Sequence, residues 1–244
     1  MSDRPALLAV YAHPDDEAVR AGGTLAMLAS RGVRVHLVCA TRGEAGQMEA
    51  LLCERADLGR VREEELAGAC RALGIEPPVV LGYPDGGLAR VQPAPVVDYL
   101  VRAMAQWDVS AVLTFGPDGI SRHPDHVAIG RMARQAFWRS RQGRAGALAR
   151  PAYLYHQVVP ARVAREFGLG GVPGVPDERV THTIDVSAWL EVKMGALACH
   201  RSQWPAMRFL RWPQAERDRF LGTEHFRCVA APPGAPRQGP EILV

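Results

Sequence analysis

Short apolar runs and amphipathic stretches alternate along the first two thirds of the chain. Residues 6–12 are an apolar run of strand length, and residues 16–30 follow with helical spacing. Gly22-Gly23 lie inside that helix pattern and cost propensity, which points to close packing of the helix on a sheet. Residues 33–41 alternate at first and then turn fully apolar, as a buried strand does; His36 in it reads as a core or edge histidine. Residues 42–60 form a long connection rich in Gly, Glu and Arg, and such loops in compact domains are often functional. The pattern then predicts a helix over 62–73 closed by Gly74, a strand over 77–83 and a turn at Pro84-Asp85-Gly86-Gly87. A helix over 95–106 and a strand over 109–115 come next. The loop 116–122 leads to His123-Pro124-Asp125-His126, a helix reaching about Arg141 and a strand over 152–159. After Val159 the pattern weakens. Residues 168–176 read as a flexible loop of the kind that forms a lid, and residues 188–200 as a helix.

This order predicts an α/β, three-layer, Rossmann-like fold: a mainly parallel sheet with helices on both faces. A single domain is expected over 1–229, with a poorly ordered proline-rich tail over 230–244. Right-handed crossovers bring the loops that follow parallel strands to one side of the sheet. His13 and His123 both lie just past strand carboxyl ends, so their segments should face one crevice, where ligands bind in open α/β sheets.

Composition adds limits. The chain of 244 residues is 48% apolar, ample for one core, and its net charge of +3 favours no class of partner. Five scattered cysteines without a C-x-x-C pair imply no disulfide framework and suit a reducing compartment. No stretch approaches the ~20 apolar residues that span a bilayer, and there is no leader pattern. A soluble cytoplasmic protein is expected. Six arginines without an acid fall between His126 and Pro151: Arg131, Arg134, Arg139, Arg141, Arg144 and Arg150. They read as a solvated helix face, or as a rim that meets an anionic ligand. No nucleic-acid motif appears, so nucleic acid is not the expected partner.

Ala12-His13-Pro14-Asp15-Asp16-Glu17 carries the candidate chemistry. Catalytic zinc sites take three ligands from His, Asp, Glu and Cys and leave a position for water. His13 and Asp16, three residues apart across a helix start, can reach one point. Either His123 or His126 can supply a third ligand from the second loop. Asp15 is then free to serve as general base, and Asp125 can orient the site. The plainer reading, in which Asp15-Asp16-Glu17 and Asp125 only favour helix N-termini, would suit either segment alone. It does not account for two His/Asp segments on one side of one sheet.

These residues resemble the LmbE-like, or PIG-L, family of zinc-dependent N-acetylglucosaminyl deacetylases. Thr41-Arg42-Gly43-Glu44-Ala45-Gly46, Arg62-Glu63-Glu64-Glu65-Leu66, Asp85-Gly86, Lys193 with His200-Arg201-Ser202-Gln203, and Glu224-His225-Phe226 extend the resemblance from about residue 6 to 228. The resemblance implies Zn2+ on His13, Asp16 and His126, with Asp15 as base. It also implies His123, supported by Asp125, near the oxyanion, and Arg62 and Asp85 on sugar hydroxyls. The implied substrate is an N-acetylated amino sugar or its conjugate. Relatives often assemble, which allows a homo-oligomer, but the sequence itself does not give the oligomeric state. His200 is as compatible with a core role as with a site role. Ser121 stands where some members carry an oxyanion-stabilising Tyr.

Alternative readings are a non-catalytic sugar- or metal-binding module on this fold, an amidase acting on a non-sugar conjugate, and an Fe(II) oxygenase, whose two-His-one-carboxylate set is the same. The metallo-β-lactamase His-x-His, the serine-hydrolase Gly-x-Ser-x-Gly and a P-loop around the sole lysine, Lys193, are all missing.

Overall fold

The computed structural model describes residues 4–48, 53–142 and 151–242. Its strands are β1 (Ala6–Tyr11), β2 (Arg34–Thr41), β3 (Val79–Tyr83), β4 (Ala111–Phe115), β5 (Tyr153–Gln157), β6 (His182–Asp185) and β7 (Thr223–Ala230). Its helices are α1 (Asp16–Ser30), α2 (Leu58–Leu73), α3 (Pro93–Gln106), α4 (Gly119–Arg122), α5 (Pro124–Arg141), α6 (Ala161–Glu166), α7 (Leu190–Cys199) and α8 (Gln214–Leu221). The strands form one sheet in the order β3-β2-β1-β4-β5-β7-β6. The first five are parallel, and β7 and β6 close the sheet antiparallel.

β1 is central, and every one of its residues is 0% exposed. A strand buried on both faces reads as a continuous apolar run, which is why residues 6–12 show no alternation. α1 and α2 pack with α7 on one side, while α3 packs with α5 over β4 and β1 on the other. The strand order reverses between β1 and β4, the position at which doubly wound sheets open their ligand crevice.

The expected mainly parallel α/β sheet is present, with differences in detail. α2 begins at Leu58, led by a 3₁₀ turn over Arg55–Asp57, so the long connection is shorter than its composition suggested; its residues 49–52 lie outside the described ones. β6 and β7 were not anticipated. Gly22 faces α7, and Gly23 faces the turn after β6 and donates its N–H to Glu224 of β7, so close packing includes the sheet. A Cβ on Gly23 would lie 2.5 Å from the Val186 Cβ, and one on Gly22 3.3 Å from the Lys193 Cγ. The proline-rich segment after β7 turns back on the body as far as residue 242. Gly239 bridges to His182, Glu241 meets Arg31 at 3.0 Å, and Ile242 is buried.

Candidate active site

The turn after β1 does most of the positioning. Asp15 takes φ 115°, a left-handed value uncommon for a side-chain-bearing residue. Its N–H donates to Glu17 Oε2 at 3.0 Å, and its side chain makes no capping hydrogen bond to α1. Asp16 folds back instead, accepting from the His13 N–H at 2.8 Å. The acidic run is therefore not spent on helix capping.

His13 and Asp16 meet His126 from the first turn of α5. His13 Nδ1 lies 3.2 Å from His126 Nε2 and 3.6 Å from Asp16 Oδ2, and His126 Nε2 lies 3.3 Å from Asp16 Oδ1. A tetrahedral ion with bonds of roughly 2.0–2.1 Å separates its ligand atoms by about 3.4 Å, so these separations, each imidazole measured to a different Asp16 oxygen, fall at the spacing a zinc-like ion needs. The outer nitrogen of His126 is hydrogen-bonded as in metal-bound histidines, whereas that of His13 lies close to two carboxylates without hydrogen-bond geometry. His126 Nδ1 is 3.1 Å from the Gly119 carbonyl oxygen, and its ring stacks on Phe115. His13 Nε2 faces Asp85 Oδ1 at 3.0 Å and Asp125 Oδ2 at 3.4 Å. A ring nitrogen of His123 also lies within 4.8 Å of those of His13 and His126. Asp16 presents one oxygen to each of the two imidazoles, Oδ2 to His13 and Oδ1 to His126.

The electrostatics suit a cation. Burial disfavours charge on His13, but Asp125, Asp16 and Asp85 outweigh it and raise its pKa far above the ordinary value. Burial likewise opposes ionisation of Asp16, yet His126 and His13 hold it well below the usual carboxylate range. Asp15 behaves differently. Burial pushes it up, Arg62 pulls it down and Asp16 repels its charge, leaving it at about 6.

Arg62 fixes the side of the site that holds Asp15. It is buried on α2 and donates to the Gly43 carbonyl at 2.7 Å, to the Pro14 carbonyl, and to Asp15 Oδ2 at 3.2 Å. Gly43 and Gly46 leave room for it, since a Cβ on either would stand 2.4 Å from the guanidinium. The Gly-Glu-Ala-Gly segment is thus a cradle for an arginine. Asp85 is also held from within: its Oδ2 accepts from the Ala45 N–H at 2.9 Å. Asp125 is fully buried behind the site and accepts from the Gly86 and Leu88 N–H groups at 2.7 and 3.0 Å, pinning the turn that carries Asp85. His123 Nδ1 accepts from the Asp125 N–H at 3.2 Å, so a neutral His123 carries its proton on Nε2. Burial, with His13 and His126 nearby, keeps its pKa low.

Seven of the eight residues singled out from sequence line one cavity of about 490 Å³: His13, Asp15, Asp16, Arg62, Asp85, His123 and His126. Asp125 supports them from below. Ser121 is exposed and does not line the cavity. Sequence reasoning assigned no role to Glu17, which joins the Asp15 backbone to His200 Nε2 at 2.7 Å. Burial opposes charge on His200, but Glu17 outweighs it and raises the pKa. Gln203 also lines the cavity and donates to the Gln47 carbonyl at 2.8 Å. Of the arginine-rich segment, Arg139 pairs with Asp98 and Arg141 donates to the Pro151 carbonyl, while Arg144 and Arg150 lie outside the described residues. None of the four described arginines, Arg131, Arg134, Arg139 and Arg141, lines the cavity.

The chain is similar to known proteins in sequence and in fold. The chain is 31% identical to 1D-myo-inositol 2-acetamido-2-deoxy-alpha-D-glucopyranoside deacetylase 3 of Catenulispora acidiphila, covering 93% of this chain and 82% of the relative. It superposes on N,N'-diacetylchitobiose deacetylase from Pyrococcus horikoshii with a TM-score of 0.71 at 22% identity, over 95% of this chain and 88% of that one. It also superposes on GalB, the 4-carboxy-2-hydroxymuconate hydratase of Pseudomonas putida KT2440, at a TM-score of 0.67 and 20% identity over 98% and 100% of the two chains, so the fold alone does not fix the reaction. The pattern of the PIG-L family, GlcNAc-PI de-N-acetylase, matches residues 8–137. With the His13–Glu17 and His123–His126 segments inside that match, the chain belongs to the PIG-L family.

Proposed function

We propose that this protein is a zinc-dependent hydrolase that removes the acetyl group from an N-acetylglucosamine-type sugar conjugate. The observation that carries the reading is the convergence of His13 Nδ1, Asp16 and His126 Nε2 at 3.2–3.6 Å beside an Asp15 held at about 6. The deacetylase names of the relatives support the substrate class. His13, Asp16 and His126 would hold the ion, which supplies a Lewis acid for the amide carbonyl and acidifies the attacking water.

Asp15 takes the proton of that water, which a carboxylate near neutrality does without remaining protonated beforehand. Arg62 holds its oxygen in place. His123, with its proton on Nε2, donates toward the developing oxyanion, while Ser121 is exposed and outside the cavity lining. Asp15, once protonated, returns the proton to the leaving amine. Arg62 and Asp85 border the space for the sugar. Five free cysteines fit the reducing cytoplasm, to which we assign the protein; among the described residues no helix is long and apolar enough to cross a membrane.

The test is acetate release from a panel of N-acetylated sugars and conjugates, with the purified metal identified by elemental analysis. Zinc-dependent release from N-acetylglucosamine conjugates is expected. Sugar binding without acetate release would instead make the protein a binding module, and oxygen consumption with bound iron would make it an oxygenase.

A further inference from the structure

A second groove opens on the same edge of the sheet, on the other side of the loop that carries His123. The loop 116–122 is the shared wall. Its Gly119 carbonyl faces His126, while Gly116, Pro117, Asp118 and Arg122 line a separate space of about 290 Å³. The opposite wall holds His156, Arg227, Arg179 and the Pro173–Pro176 segment. That segment falls in the loop read from sequence as a lid, but it is tied down beside the groove: Val175 N–H donates to the Val159 carbonyl and its own carbonyl accepts from Ala161, both at 2.8 Å.

Sheet register builds the basic wall. His156 on β5 stands directly opposite Arg227 on β7, so the two side chains project from the same face. His156 is only 4% exposed, and its Nε2 has no partner among the described residues. Arg122, Arg179 and Arg227 are exposed, and none is paired with a carboxylate among the described residues. Arg131 and Arg134 of α5 approach the same histidine through a smaller adjoining space of about 90 Å³. Burial, with Arg134 and Arg227 nearby, holds His156 down at about 4. Asp118 is the one acid among the residues lining the groove. Three unpaired guanidiniums around a buried, unsatisfied imidazole form an environment that favours an anion, through charge-assisted and forked hydrogen bonds.

We propose that this groove binds an oxyanion, a phosphate or carboxylate, through Arg122, Arg179, Arg227 and His156. Its place beside the candidate active site suits an acidic group carried by the substrate beyond its sugar, which rests on the deacetylase reading above. A free inorganic anion is the other source of the same chemistry.

The test uses the full chain loaded with metal, as wild type and as the double variant Arg179→Gln/Arg227→Gln. Inorganic phosphate is titrated into each by calorimetry at constant ionic strength. Each protein is then assayed on two N-acetylglucosamine conjugates that differ only by one phosphate on the aglycone. We expect phosphate affinity to fall about tenfold or more in the double variant. A parallel fall in the charged-to-neutral ratio of kcat/KM assigns the anion to the substrate. An unchanged ratio alongside the loss of phosphate affinity assigns it to a free anion. Equal phosphate binding by both proteins, or none by either, together with an unchanged ratio, overturns the proposal. The titration needs no turnover, so it reads the groove even if neither conjugate is hydrolysed, the result that would count against the deacetylase reading instead.

Discussion

Asp15 and Asp16 are neighbours in the chain, yet they face different groups. Asp16 turns to His13 and His126, while Asp15 sits at φ 115° against Arg62. Asp125 does a third job by satisfying two backbone donors of the Gly86 turn. Replacing Asp125 with Ala strands both N–H groups; a stability loss of about 2–4 kcal/mol in chemical denaturation is expected, together with lower activity as Asp85 loses its support. Two histidines outside the cavity set a pH response. Burial, reinforced by neighbouring arginines, holds His156 and His225 at about 4. In the unfolded chain each takes a proton near 6.5, so between about 6.5 and 4 the unfolded state binds more protons. Stability contributed by the neutral rings is therefore complete above that window and lost as pH falls through it, by up to about 3 kcal/mol for each ring. His225→Gln should flatten the acid limb of a Tm-against-pH curve, and a limb as steep as that of the wild type would contradict the assignment.

At the scale of elements, α1 is held by contacts that its own sequence does not announce. Glu224 on β7 accepts from the Gly23 and Thr24 N–H groups at 3.0 and 2.8 Å and pairs with Lys193 on α7 at 2.7 Å. Both side chains are essentially unexposed. Breaking such a pair from one side leaves a buried charge alone, so Lys193→Met should cost about 3–5 kcal/mol, read from urea midpoints. The double change Lys193→Met/Glu224→Gln should recover part of the loss. Gly23→Ala should cost about 1–3 kcal/mol, because its Cβ would overlap Val186. An unchanged denaturation midpoint would mean that α1 can shift away from that turn.

For the whole molecule, the part legible in the sequence was the part written in local pattern. β1 to β5 and the helices between them show their periods because each buries a face against its neighbours in the doubly wound order. The two His/Asp segments were legible because strand ends in such a sheet share one crevice. β7 was hidden: Thr223–Ala230 carries Glu224, His225 and Arg227, whose reasons lie in α1, α7 and β5 rather than in the strand itself. The same long-range pairing places Arg227 opposite His156, so the basic groove could not be read from the arginine-rich segment that first suggested an anion. Nor could the inward use of Arg62, which depends on two glycines that precede it by 19 and 16 positions. The fold brings His13 after β1, Asp16 at the start of α1 and His126 on α5 together, beside an Asp15 braced by Arg62 of α2, with ion binding assigned to the first three and proton transfer to Asp15 in the proposed mechanism. Asp15→Asn tests this most directly, since asparagine keeps the shape and tolerates positive φ while losing the basic carboxylate. Metal content and acetate release should be measured on the same preparation. One bound ion per chain with turnover reduced by about a thousandfold is the expected result. Loss of the ion from Asp15→Asn, or turnover close to wild type, would contradict the division of labour between the two aspartates.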